Sequence, residues 1–254
     1  MRSFILKSKK NRSPLFKLLS LARYAVCALV IYSIASIASI SHVDARKAED
    51  AYIRSKVVLI KGDQGLCSGE QVRLKDGRDF ILTAAHCREV SSNDAFLVID
   101  EKGEARFRKL VAEDPFSDLL LLEGLPDVEG LSIAKEMYKH ERVRTFTHGR
   151  GMDTYKTEGE IFQNLQVTIP YAPIDAAHPC DQPKQVKLED VLGNKICAMH
   201  VYETVSTAQV VPGSSGGPIV NKQGELVGVV SATDGFFGLF VRISDINSFL
   251  DSIK

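Results

Sequence analysis

The sequence predicts an all-β fold, a sandwich or a barrel, from three observations. Short strand-like runs recur from residue 52 onward, turn signals separate them at frequent intervals, and helical periodicity beyond that point is confined to the C-terminal tail. With 254 residues, 44% of them hydrophobic, the chain can bury one large or two small folding units.

The elements follow in chain order. Val57–Ile60 is an apolar run. Ser68–Leu74 and Arg78–Ala84 flank Lys75-Asp76-Gly77, a hairpin signal, because glycine supplies the positive φ that a tight turn needs. Ala95–Asp100 and Ala105–Ala112 flank Glu101-Lys102-Gly103-Glu104, a second hairpin. Asp118–Leu122 follows Asp114-Pro115 and reads as a strand buried on both faces. These runs are enough to close a barrel of six strands. Residues 124–140 break the pattern with Gly124, Pro126, Asp127 and Gly130, as a linker would. Strands resume at Arg142–Thr147, Tyr155–Glu158 and Glu160–Ile169. A loop from Pro170 to Pro183 follows, then strands at Ile196–Val210, Pro218–Asn221, Glu225–Ala232 and Leu239–Ile243. The tail Ser244–Ile253 places Ile246, Phe249, Leu250 and Ile253 at helical spacing behind an N-cap serine.

The N-terminus has a different character. Residues 1–23 carry Arg2, Lys7, Lys9, Lys10, Arg12, Lys17 and Arg23 and no acid. Tyr24–Ile40 is then uncharged and nearly long enough for one membrane crossing. Val43-Asp44-Ala45 offers a signal peptidase site. Residues 1–45 are therefore expected to be a cleaved signal peptide or a retained signal anchor, with the remainder periplasmic or secreted. The 32 basic and 32 acidic residues cancel, so charge gives no argument for a nucleic-acid partner.

Cysteine use points the same way. Cys27 lies in the apolar run, which leaves Cys67, Cys87, Cys180 and Cys197 as an even set, expected to form disulfides in an exported domain. Parity alone allows three pairings of the four cysteines. Zinc competes poorly, since neither a Cys-x-x-Cys nor a closely spaced His pair is present, and no metal or cofactor is expected.

The most informative stretch is Val211-Pro212-Gly213-Ser214-Ser215-Gly216-Gly217-Pro218. Its glycines permit a sharp turn that exposes Ser215 Oγ and aims the N–H groups of Gly213 and Ser215 into one small space. The same composition also describes an ordinary turn between strands. A serine nucleophile needs a base, and all six histidines (His42, His86, His140, His148, His178 and His200) precede Ser215. That order excludes the α/β-hydrolase reading of Gly213-x-Ser215-x-Gly217, in which the histidine follows the serine. His86 ends the run Leu82-Thr83-Ala84-Ala85-His86-Cys87. Asp118 begins a buried apolar strand, where an acid would need a partner.

These residues together resemble the trypsin-like (chymotrypsin-fold) serine proteases. Thr83-Ala84-Ala85-His86-Cys87 is similar to the family's histidine motif, Asp118-Leu119-Leu120-Leu121 to its aspartate motif, and Gly213-Ser214-Ser215-Gly216-Gly217-Pro218 to its serine motif. The resemblance implies two six-stranded antiparallel barrels over residues 52–254. The first spans about 52–123 and the second about 141–243, followed by the helix 244–253. It implies the pairing Cys67–Cys87, which leaves Cys180 with Cys197. It implies Ser215 as nucleophile, His86 as base and then acid, and Asp118 as the group that holds the imidazole. The N–H groups of Gly213 and Ser215 would form the oxyanion hole, each donor worth about 2.7–4 kcal/mol of barrier. Ser231 matches the family serine that supports the aspartate.

Departures from the pattern refine the expectation. Ser214 stands where a trypsin-like zymogen has the aspartate that receives a freed N-terminus, and no Arg-Ile-Val-Gly-Gly-like site precedes Val57. Activation without N-terminal insertion is therefore expected, as in bacterial relatives of the high-temperature-requirement and glutamyl-endopeptidase kinds. Gly224-Glu225-Leu226-Val227-Gly228-Val229-Val230 is also similar to those relatives, although no C-terminal PDZ domain is expected. The expected substrate pocket comprises Gln209, Val210, Val211, Ser231 and Thr233. Gln209 disfavours Lys or Arg at P1 and Val230 disfavours Glu, which leaves small or medium aliphatic residues. The expected function is an exported serine endopeptidase acting on proteins or peptides, held at a membrane if residues 24–40 are retained. The alternative is a catalytically silent protease-like binding module.

Overall fold

The computed structural model describes residues 43–91, 95–173, 180, 185–189, 193–233 and 235–253. Contacts divide the chain into Met1–Asp50 and Ala51–Lys254. In the first unit residues 43–50, which include Val43-Asp44-Ala45, are helical. The apolar run 24–40, Cys27 and the expected anchor helix lie outside the described residues. Among the described residues, no helix is long and apolar enough to cross a membrane.

The second unit opens with helical residues 51–54, where Ile53 is buried with Val57, Leu131, Phe146 and Val220. Six antiparallel strands follow: β1 (Val57–Lys61), β2 (Leu66–Arg73), β3 (Asp79–Thr83), β4 (Ala95–Ile99), β5 (Ala105–Asp114) and β6 (Leu119–Glu123). They close a barrel in the order β1-β2-β3-β6-β5-β4. Gly77 and Gly103 adopt φ of +88° and +80° at the two hairpin turns, the conformation for which the sequence placed glycine there. The run Leu119–Leu122 explains how this barrel meets its surroundings. Leu120 and Leu122 point into the barrel with Ile60, Ile81 and Phe96. Leu119 and Leu121 point outward against Leu226, Val229, Val241 and the C-terminal helix. A strand buried on both faces reads as a continuous apolar run, with no alternation to see.

The second barrel comprises β7 (Arg142–Thr147), β8 (Tyr155–Pro173), β10 (Lys195–Ser206), β11 (Pro218–Val220), β12 (Leu226–Thr233) and β13 (Gly238–Arg242), closed by pairing of β13 with β10. A further strand, β9 (Gln185–Glu189), continues the same edge of β10 along Lys195–Met199. The core holds Val143, Ile161, Ile219, Val227, Val230 and Phe240. The connecting residues between barrels are not slack, since Leu131 bridges to Val72 of the first barrel and Ile133 to Leu226 of the second.

Several expected boundaries move. Tyr155–Glu158 and Glu160–Ile169 are one strand that extends to Pro173, past the expected loop start at Pro170. Gly159 marks close approach instead of a turn: a Cβ there would lie 2.2 Å from Ala208 N. The expected strand to Val210 stops at Ser206, where Thr207 N–H turns to the Glu160 carbonyl. Strand β9 falls inside a region where no strand was expected beyond the loop. The helix, α1 (Ile243–Asp251), begins before Ser244, with Arg242 at the N-cap position and no side-chain cap. Ser244 lies inside the first turn and its carbonyl accepts the Ser248 hydroxyl. Asp245 in that turn favours the positive helix end.

Candidate active site

The Gly213–Pro218 loop turns twice. Ser214 N–H closes on the Val211 carbonyl and Gly217 N–H on the Ser214 carbonyl, with Gly213 at φ +88° and Gly216 at φ +80° as the third residue of each turn. A Cβ on Gly216 would lie 1.9 Å from Thr83 Oγ1 and 2.4 Å from the Ser68 carbonyl oxygen, so the loop sits directly against the end of β3. Ser68 clamps the loop from β2: its N–H donates to the Ser215 carbonyl at 2.8 Å and its hydroxyl to the Gly213 carbonyl at 2.9 Å. Ser215 is half-buried. The N–H groups of Gly213 and Ser215 have no acceptor among the described residues.

Ser214 is fully buried. Its Oγ lies 2.9 Å from Thr147 Oγ1 and 2.7 Å from the Tyr155 hydroxyl, and it accepts the Val211 N–H at 3.3 Å. Where an aspartate in this position would require a cation, a hydroxyl is satisfied by neutral neighbours.

His86 begins beyond β3, in a 3-10 turn over Ala85–Val90. The disulfide Cys67–Cys87 fixes the neighbouring residue, with Cα atoms 6.0 Å apart, and so joins the segment that carries His86 to the one that carries Ser68. Asp118 reaches His86 twice. Its Oδ1 accepts the His86 backbone N–H at 3.0 Å, and both carboxylate oxygens lie 3.0 Å from Nδ1. The Ser231 hydroxyl donates to Asp118 Oδ2 at 2.7 Å. Asp118 adopts φ of +53°, an unusual backbone conformation that asparagine and aspartate tolerate best. Burial by itself lowers the His86 pKa. The hydrogen bond and charge of Asp118 outweigh it, helped by Glu89, so the imidazole titrates above its ordinary value.

The structure thus brings together His86, Asp118 and Ser231, and ties the Ser215 loop to the strand end beside them. The expected pocket residues are more scattered. Gln209 is exposed and its carbonyl accepts the Thr157 hydroxyl, and Val210 is buried in the second-barrel core. Val211 is half-buried, and Thr233 is exposed, its hydroxyl donating to the Phe237 carbonyl. The second disulfide joins Cys180 to Cys197.

Four supporting residues were not anticipated: Ser68, Thr147, Tyr155 and Glu203. Only Glu203 carried a sequence signal, as an acid within the strand-like run Ile196–Val210. His148 is structural. It is buried, its Nδ1 lies 3.0 Å from the Met152 carbonyl oxygen, and burial lowers its pKa.

Among solved structures, the active form of the Rv3671c protease from M. tuberculosis is similar, with 19% identity, a TM-score of 0.61, and coverage of 81% of this chain and 83% of that one. Its inactive form has 18% identity, a TM-score of 0.60 and coverage of 81% and 92%. The serine endoprotease from Yersinia pestis has 17% identity, a TM-score of 0.57 and coverage of 81% and 65%. These likenesses bear on the fold. No curated protein matches the sequence. The model of the trypsin-like peptidase domain matches residues 67–229, the span from Cys67 through His86, Asp118 and Ser215 into β12, and the chain therefore belongs to the trypsin-like peptidase family.

Proposed function

We propose that the chain is a serine endopeptidase that hydrolyses peptide bonds through an acyl-enzyme, with Ser215 as nucleophile. Family membership supports a serine protease acting on peptides or proteins. The observation that carries the finer reading is the Asp118 contact with His86 Nδ1, which leaves Nε2 as the imidazole nitrogen available to take a proton. His86 removes the Ser215 hydroxyl proton as the serine attacks the scissile carbonyl, then gives it to the leaving amine. Asp118 stays ionised throughout and stabilises the imidazolium. The N–H groups of Gly213 and Ser215 receive the developing oxyanion. Ser231 orients Asp118.

The hydroxyl cluster of buried Ser214 and Thr147 with half-buried Tyr155 supports a loop whose shape does not depend on an inserted N-terminus. The basic and apolar N-terminal stretches, with the two disulfides, support export, to the periplasm or the exterior. The intact mass of the mature protein distinguishes cleavage after Ala45 from a retained anchor. The proposed P1 preference is for small or medium aliphatic residues, and cleavage profiling that returned Lys, Arg or Glu would contradict it. Fluorophosphonate labelling tests the central reading: label on Ser215, absent in Ser215→Ala, is expected. A folded chain that takes no label would favour the binding-module alternative.

A further inference from the structure

Ser231 has one hydroxyl proton and two carboxyl neighbours. Its Oγ donates to Asp118 Oδ2 at 2.7 Å, and the same hydroxyl is close enough to the Glu203 carboxyl to act on its pKa, in the lowering direction. Glu203 is 2% exposed, and its Oε2 has no hydrogen-bond partner among the described residues. A hydroxyl cannot donate one proton twice. With that proton given to Asp118, Ser231 can satisfy Glu203 only by accepting, and a carboxyl group can donate only in its protonated form.

Strand β10 places Glu203 opposite Leu165 of β8 and Val241 of β13, neither of which ionises. Among the described residues, the ionisable groups that face it are Asp118 before β6, Asp245 on α1, and His86. Asp245 is held by two hydrogen bonds from Arg242 at the end of β13. Two of the three facing groups are therefore acids, and a second carboxylate here would be both buried and repelled.

We propose that Glu203 is a positioning residue for the His86–Asp118 pair: as a carboxylic acid it donates to Ser231 Oγ, which commits the Ser231 proton to Asp118. The consequence for rate rests on the proposed catalytic roles of His86 and Asp118; the hydrogen-bond arrangement does not. Burial, then the charges of Asp118 and Asp245, push the Glu203 pKa up to about 8, against the opposing influence of Ser231 and His86. Below that pH the acid form donates. Above it the proton leaves for solvent, Ser231 is contested by two carboxylates, and a second negative charge faces His86. The arrangement holds at neutral pH and fails in mild alkali.

The direct test is an NMR titration of the full-length chain carrying Ser215→Ala, with labelled Glu carboxyl and His ring atoms, from about pH 6 to about pH 10. The Glu203 carboxyl is expected to titrate near pH 8, with an inflection of the His86 resonances at the same pH that vanishes in Glu203→Gln. A Glu203 carboxyl that titrates in the ordinary glutamate range overturns the proposal, as does an inflection that persists in Glu203→Gln. The Glu203 carboxyl signal of the Ser215→Ala chain decides even if the chain that also carries Glu203→Gln does not fold. In turnover, kcat/KM of the wild type should fall by roughly tenfold above the Glu203 pKa as the hydrogen bond to the Asp118 carboxylate weakens. Glu203→Gln should show no such fall relative to its own neutral-pH value. An inactive chain with the NMR signature intact would contradict the catalytic reading and leave the Glu203 placement standing.

Discussion

Asp118 contacts His86 from two sides, through the backbone N–H and through Nδ1, and does so from a left-handed backbone. Asp118→Asn should lower kcat/KM by about 10⁴-fold, because an amide does not hold the required tautomer. The sign of the pH effect follows from the same contact. Asp118 raises the His86 pKa, so activity should rise as pH passes above the ordinary histidine range. In Asp118→Asn that acid limb should move to lower pH, read from the pH dependence of kcat/KM. Ser214→Ala would leave the buried Thr147 and half-buried Tyr155 hydroxyls without their shared partner, at a cost of about 1–3 kcal/mol in denaturant unfolding. If the cluster shapes the loop, kcat should fall more than KM rises. At this scale the sequence exposed the residues with motifs and concealed those without. Ser68, Thr147 and Tyr155 act through single hydroxyls or backbone atoms, which leave no spacing to read.

Strand β2 organises the elements around the site. Cys67 bonds Cys87, Ser68 holds the Ser215 loop, and Gln71 bonds Leu125 through both ends of its amide. Arg73 then meets Asp79 of β3 through two hydrogen bonds, at 3.0 and 2.7 Å, and Asp79 also accepts Gly130 N–H from the inter-barrel segment. The Arg73 hydrogen bond is the largest influence holding the Asp79 pKa below its ordinary value. A depressed carboxylate pKa contributes stability above the unfolded-state value and loses it as pH falls through the folded one. Asp79→Asn should therefore destabilise the neutral protein by about 1 kcal/mol and flatten stability in the acid range, measured by urea unfolding against pH. The hairpins and the doubly buried β6 were legible because turn glycines and apolar runs are local. The length of β8 was not, since Gly159 is required by Ala208, a residue far along the chain. The N-cap of α1 was misplaced for a related reason: burial of Ile243 and Ile246 against the first barrel sets the helix start.

Across the whole molecule, the two barrels contribute unlike parts to one site. His86 and Asp118 come from the first barrel, and the Ser215 loop and Ser231 from the second, with Leu119 and Leu121 packed against Val229 and Val241 beside them. The Cys67–Cys87 crosslink, within the first-barrel core, ties the turn that carries His86 to β2. Its loss through Cys67→Ser with Cys87→Ser should cost about 3 kcal/mol of stability in the chain-entropy model. It should also reduce activity below what the unfolded fraction explains, because His86 and Ser68 flank the bridge. The order of three motifs made the barrel pair legible in the sequence, while the way their supports interlock depends on contacts between distant strands. The central claim is that these parts make Ser215 a nucleophile activated by His86. Fluorophosphonate labelling of the full-length chain, with the modified residue located by peptide mass, tests it most directly. Label on Ser215, lost in Ser215→Ala and strongly slowed in His86→Ala, is the predicted result. Labelling elsewhere, or a rate on Ser215 that His86→Ala leaves unchanged, would contradict it.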